Sequence, residues 1–257
     1  MRTIVVTGSA SGIGKATKAL LESRGDKVIG VDLRDADVQV DLSTAAGRTA
    51  LVEGVGDLTG GRIDGIVANA GLSHEIPLTM AVNYFGAVAT LEGLRPFLAG
   101  SDAPRAVTTS SMASLREPDA QLVEAALAGD EATAMARATE LVEGGPQHFI
   151  YPSSKNALSR WLRRNAPTPE WAGAGIPLNA IAPGVVLTAM TADMLGTEQG
   201  RESVSSFVPM PLNGYMPAEA AASLFAWLVS PENTHLCGQV IFIDGGTDVV
   251  MRGDSTW

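Results

Sequence analysis

The chain has 257 residues, 46% of them hydrophobic, and a formal charge of −10. That apolar fraction is ample for a real core, and nothing in the middle reads as a flexible linker, so one large α/β domain is expected across residues 1–257. The acidic balance argues against a nucleic-acid backbone as partner, and the single Cys237 excludes an internal disulfide, which fits a reducing cytoplasm. No apolar run approaches the roughly 20 residues of a membrane helix, and Met1-Arg2 leads straight into a strand rather than a signal peptide.

Ile4, Val5 and Val6 form a β-branched run consistent with a buried parallel strand. It leads into T-G-S-A-S-G-I-G at residues 7–14, after which Ile13, Ala16, Ala19, Leu20 and Leu21 recur at helical spacing until Gly25. Gly8, Gly12 and Gly14 let the backbone turn tightly and let a pyrophosphate lie against unpaired N–H groups at the positive end of the helix. The same spacing also occurs where only a tight bend is needed. Asp32 narrows the choice, because it ends the next apolar strand, residues 28–31, about 20 residues beyond the glycines. A carboxylate there accepts hydrogen bonds from an adenosine ribose and repels a 2′-phosphate, so NAD is expected over NADP. Arg34 is a counter-signal, but no Lys or Arg lies within residues 7–14 to help it.

Further along, Ser43 or Thr44 caps a helix running through Leu51 and Val55 to Gly60-Gly61. Residues 63–68 read as another buried strand, followed by Asn69-Ala70-Gly71 at its carboxyl end, the edge where open parallel sheets bind ligands. A helix over 78–98 carries Asn83 inside an apolar stretch. An unpaired amide there costs a few kcal/mol, so Asn83 must have partners. A strand at 107–111 ends in the hydroxyl run Thr108-Thr109-Ser110-Ser111. In Y-P-S-S-K, Tyr151 and Lys155 fall on one helix face. A free Tyr has a pKa of about 10, and a Lys cation and an oxidised nicotinamide both favour its phenolate. The pair alone fits an incidental helix face better; its occurrence in order with the preceding motifs is what makes it informative.

Together, T-G-S-A-S-G-I-G, N-A-G at 69–71, Asn83, Ser111 and Y-P-S-S-K resemble the short-chain dehydrogenase/reductase family, and the likeness continues through Asn179, Pro183-Gly184, Thr188 and Asp244-Gly245-Gly246. It implies a single-domain Rossmann-type fold, a doubly wound parallel sheet with helices on both faces. It also implies that Ser111 holds the substrate oxygen, Tyr151 moves its proton, Lys155 holds the nicotinamide ribose, and Asn83 completes a water-mediated proton path. For the cofactor it implies that Gly8, Ser9, Ala10, Ser11, Gly12 and Ile13 cradle the pyrophosphate and Asp32 takes the adenosine ribose. Asp41 and Leu42 would border the adenine, Asn69, Ala70 and Gly71 the cofactor's path, and Pro183, Gly184, Val186 and Thr188 the carboxamide. No metal is implied. Ala68 departs from the family pattern, where many members have a first Asn.

Within the family the chain looks most like the bacterial hydroxysteroid dehydrogenase/carbonyl reductase branch, on V-D-L-R-D-A-D-V at 31–38, V-N-Y-F-G-A at 82–87 and S-S-K-N-A-L at 153–158. Coniferyl-alcohol dehydrogenases are similar in layout, and a catalytically idle NAD sensor is disfavoured because Ser111, Tyr151 and Lys155 are all present. The 39 residues between Ser111 and Tyr151 form an insertion, at about 115–148, read as helices over 118–127 and from Asp130 to 142. Met135, Ala138, Leu141 and Val142 give it an apolar stripe, directed at its own subunit or a partner. The expected assembly is a homodimer through a helix at 217–228 and a strand at 240–243, with the insertion blocking a tetramer. Residues 189–212, rich in Met and with little regular pattern, are expected to form a lid over a hydrophobic substrate.

Overall fold

The structure, a computed structural model, describes residues 1–255. Its strands are β1 (Thr3–Thr7), β2 (Lys27–Asp32), β3 (Val38–Gln39), β4 (Gly65–Ala68), β5 (Arg105–Thr109), β6 (Leu178–Pro183), β7 (Val186–Leu187), β8 (Met216–Pro217) and β9 (Val240–Ile243). A seven-stranded parallel sheet runs in the order β3-β2-β1-β4-β5-β6-β9, and β7 pairs with β8 apart from it.

The two-residue period of a strand assigns each side chain to one of two cores. Ile4, Val6, Val67, Val107 and Ile181 face the helices Gly12–Ser23 and Ala218–Leu228. Val5, Ile66, Ala68, Ala106, Leu178 and Ala180 face Ala45–Thr59, Ala87–Leu94 and Ile150–Asn165. Burial on both faces explains why these strands read as continuous apolar runs rather than alternating ones. Helix ends follow local chemistry: Thr44 accepts from Gly47 N, and the chain leaves Gly12–Ser23 through Gly25 N donating to Glu22 O and Asp26 N to Leu21 O.

The strand expected at 107–111 is Arg105–Thr109, so Ser110 and Ser111 lie beyond its end, and further segments also differ from the sequence reading. The strand at 63–68 begins only at Gly65, because Ile63 N is taken by Phe97 O. The helix at 78–98 is broken into an α turn Pro77–Met80, a π segment Ala81–Gly86, an α segment Ala87–Leu94 and a 3-10 end at Arg95–Gly100, where Pro96 stops the α pattern. The stretch 189–212 is more regular than expected, with helices Ala189–Leu195 and Glu198–Phe207. Thr188 and Thr191 cap the first reciprocally, and Thr197 caps the second by accepting from Gly200 N.

The insertion forms two helices, Ala120–Leu127 and Glu131–Gly144, capped by Asp119 and Asp130 through Leu122 N and Thr133 N. Leu122, Val123, Ala126, Ala134, Ala138 and Leu141 are buried with Ile150 and Leu158, so the hairpin packs on its own chain. Val142, placed in the stripe by the sequence, is 40% exposed. No helix among the described residues is long and apolar enough to cross a membrane.

Candidate active site

β2 and β3 extend from one side of β1 and β4, β5, β6 and β9 from the other, so the sheet's switch point lies between the carboxyl ends of β1 and β4. The glycine turn sits there. Gly8 adopts φ 70° and donates to Val31 O at 2.8 Å, and a Cβ on Gly14 would lie 2.0 Å from Gly8 O, so only glycine lets the helix pack this close. Ser11 is the N-cap but its side chain makes no cap bond, and the first turn carries no acidic residue. That helix end therefore keeps unpaired donors and a positive dipole for an anion. Asp32 is anchored across the turn, its carboxylate accepting from Ala10 N at 3.0 Å and Leu33 N at 2.7 Å.

Behind the turn a set of short polar bonds ties three strand ends together. Thr7 Oγ1 accepts from Asn69 N and Ala70 N, both at 3.0 Å, and Thr109 Oγ1 donates to Asn69 Oδ1 at 3.0 Å. Asn83 is fully buried, and its partners are found: Oδ1 accepts from Leu72 N at 2.8 Å, and Nδ2 donates to Leu72 O at 2.9 Å and Ser154 Oγ at 3.1 Å. Its place in the π segment fits the tendency of such bulges to occur at functional sites.

Ser111 leaves β5 as the cap of a 3-10 turn, its Oγ accepting from Ala113 N at 3.1 Å. Tyr151 and Lys155 come from the first turns of Ile150–Asn165, with Lys155 Nζ donating to Thr109 O at 2.8 Å. Burial lowers Lys155 to about 7. Burial also raises the Tyr151 phenol above its ordinary value, opposed by the Ser111 hydroxyl and then by the Arg116 cation. The expectation that the Lys155 cation and an oxidised nicotinamide draw the phenol downwards concerns the loaded site; in the chain alone burial leaves the phenol high.

A cavity of about 860 Å³ joins these parts. It is lined by Gly8, Ser11, Gly12, Ile13, Asn69, Ala70, Gly71, Ser111, Tyr151, Lys155, Pro183, Gly184, Val186 and Thr188. Six expected residues do not line it. Ser9 is buried under the turn with its Oγ on Val31 O; Ala10 and Asp32 are bonded to each other; Asn83 lies behind Gly71. Asp41 accepts from Ser43 N and Oγ, bonds that hold its carboxyl below the usual range, and Leu42 packs into the core. Sequence reasoning quoted Thr7 and Thr109 within their motifs and gave neither a role. It missed Arg116, which lines the cavity, donates to Phe207 O at 3.4 Å and sits 5.8 Å from the centre of the Phe207 ring.

A parallel sheet wound by helices on both faces, with a glycine turn at its switch point, defines a Rossmann-type protein. Residues 2–126 match the family model described as short chain dehydrogenase, and residues 139–248 the one described as Enoyl-(Acyl carrier protein) reductase. The 3-alpha-hydroxysteroid dehydrogenase/carbonyl reductase of Comamonas testosteroni is 39% identical over 260 residues, covering 98% of this chain and 98% of that protein. The crystal structure of the 3-alpha-hydroxysteroid dehydrogenase from Pseudomonas sp. B-0831, complexed with NADH, matches with a TM-score of 0.89 at 40% identity, over 98% of this chain and 99% of that one. Pseudomonas aeruginosa RhlG, in an NADP complex, matches with a TM-score of 0.75 at 26% identity over 96% of each chain. The chain belongs to the short-chain dehydrogenase/reductase family.

Proposed function

We propose that this protein is an NAD(H)-dependent oxidoreductase that interconverts a hydrophobic secondary alcohol and its ketone, with 3α-hydroxysteroids the favoured substrates. The observation that carries this reading is one cavity lined at once by the glycine turn, by Ser111, Tyr151 and Lys155, and by the apolar lid residues Met190, Met194, Phe207 and Val208. The relatives named for hydroxysteroid and carbonyl chemistry support it, as does the NADH in one of them.

The residues present fit a dinucleotide. The glycine turn with its free helix end suits the pyrophosphate, Asp32 the adenosine ribose, and the loop at Asp41-Leu42 the adenine side. Gly71 suits the passage of the cofactor beside Lys155, since a Cβ there would meet Asn83 Oδ1 at 3.0 Å and Lys155 Nζ at 3.6 Å. NAD supplies the hydride acceptor for alcohol oxidation, and NADH the donor for the reverse. The chain handles the proton and the oxygen. Ser111 donates to the substrate oxygen, Tyr151 takes the hydroxyl proton in oxidation and returns it in reduction, and Lys155 orients the ribose and favours the phenolate when charged. Asn83 holds the segment through which the proton leaves. Pro183, Gly184, Val186 and Thr188 border the nicotinamide end.

We also read the chain as a single cytoplasmic domain with an insertion at 115–148 and a lid at 189–212, assembled as a homodimer. The edge position of β9 and the 40% exposure of Trp227 on Ala218–Leu228 support that assembly, and a tetramer in sedimentation would contradict it. The function is tested by following NADH absorbance with NAD or NADP against steroids, aromatic alcohols and quinones. Turnover of a 3α-hydroxysteroid with NAD is expected. A preference for aromatic alcohols reassigns the substrate, and NADP preference or no turnover contradicts the reading.

A further inference from the structure

The Arg48 guanidinium lies where three segments meet, none adjacent to another in sequence. Nε donates to Leu42 O at 2.8 Å, and Nη2 donates to Ser43 O at 3.1 Å and Ala81 O at 3.3 Å. Nη1 and Nη2 each reach one carboxylate oxygen of Glu131 at 2.7 Å, the two-pronged geometry in which such pairs are strongest. The guanidinium carbon is 5.8 Å from the centre of the Phe85 ring. Leu42 and Ser43 follow Asp41 in the loop assigned to the adenine side. Ala81 opens the π segment that carries Asn83, and Glu131 is the first residue of the insertion's second helix.

We propose that Glu131 is a positioning residue through which the insertion sets the cofactor loop: by orienting Arg48 it fixes the carbonyls of Leu42, Ser43 and Ala81 before the dinucleotide binds. This rests on the proposed reading of that loop as the adenine border. The Arg48 side chain is only 11% exposed, so a guanidinium that loses its carboxylate must either stay buried with carbonyls alone or turn out to water. In the second case the loop at 41–43 loses two donors, and Ala81 O in the π segment a third, so the loop must be ordered by the ligand, which weakens binding without altering chemistry. Glu131 also stands at a helix N-terminus, where its charge is favoured, so the carboxylate is held ready.

The insertion supplies an internal control. Arg137 pairs with Asp119 at 2.7 Å and Glu140 at 3.0 Å within the hairpin and makes no bond to the loop at 41–43. ADP-ribose, which is the dinucleotide without its nicotinamide, and NADH are titrated against the full-length wild type, Glu131→Gln, Glu131→Asp, Arg48→Lys and Arg137→Gln. Glu131→Gln and Arg48→Lys are expected to weaken ADP-ribose about fivefold, the scale of one charge-assisted contact, with kcat and the alcohol KM at saturating NAD unchanged. Glu131→Asp keeps the charge and recovers part of the loss. Arg137→Gln lowers Tm and leaves the ADP-ribose Kd unchanged. An unchanged Kd in Glu131→Gln, or an equal loss in Arg137→Gln, overturns the proposal. Failure of the wild type to bind either ligand overturns the cofactor reading beneath it.

Discussion

Lys155 Nζ stands 5.9 Å from the centre of the Tyr151 ring while donating to Thr109 O at 2.8 Å. Burial holds both groups back from ionising, the phenol raised and the amine lowered to about 7. Groups buried in this way respond strongly to a charge brought beside them, because low-dielectric surroundings screen it weakly.

The first prediction concerns stability. Lys155 titrates near 7 in the folded chain and near 10.4 when unfolded, so between those values the unfolded chain binds a proton the folded one lacks. Wild-type stability must therefore rise with pH across that window, and the burial cost, on the order of a few kcal/mol, is fully present below it. Lys155→Met is predicted to be inactive yet to melt several degrees above wild type at about pH 7, with the gain fading towards about pH 10. Calorimetry across that range checks this; a variant less stable than wild type at neutral pH contradicts it.

Gly14→Ala tests the close approach of helix and turn. The added methyl would lie 2.0 Å from Gly8 O and 2.7 Å from Asn69 Nδ2, so the turn must move. Overpacking of this kind costs about 1–3 kcal/mol, and NADH affinity measured by fluorescence is expected to fall about tenfold or more. Unchanged affinity would mean that the turn does not carry the pyrophosphate.

Arg116 links the proposed lid to the proposed base. It holds Phe207 through a backbone bond and ring contact, and its charge lowers the Tyr151 phenol. Oxidation in the wild type is expected to rise with pH as Tyr151 ionises, and Arg116→Gln is expected to displace that rise to higher pH and to increase the KM for hydrophobic alcohols several-fold. Rate profiles of the two proteins that coincide, at equal KM, would remove Arg116 from the account.

The doubly wound parallel sheet and the capped helix ends were legible because they depend on local period and on residues such as Thr44, Asp130 and Gly25. Asn83 was legible as a polar residue in an apolar run, though not the π segment that places it. The start of the first insertion helix was read at Pro118, two residues early, because Asp119 and not the proline sets the cap. The helices Ala189–Leu195 and Glu198–Phe207 escaped notice since their caps, Thr188 and Thr197, lie among methionines and glycines that mask the period. Arg48 and Arg116 act on residues far along the chain, and no spacing rule reaches that far.

The most direct test is Tyr151→Phe, assayed for turnover and for NADH binding on the same preparation. Removing only the phenol oxygen should abolish alcohol oxidation and ketone reduction together, while NADH binds as tightly as it does to the wild type. Turnover that survives at a substantial fraction of the wild-type rate would contradict the assignment of Tyr151 as the group that moves the proton.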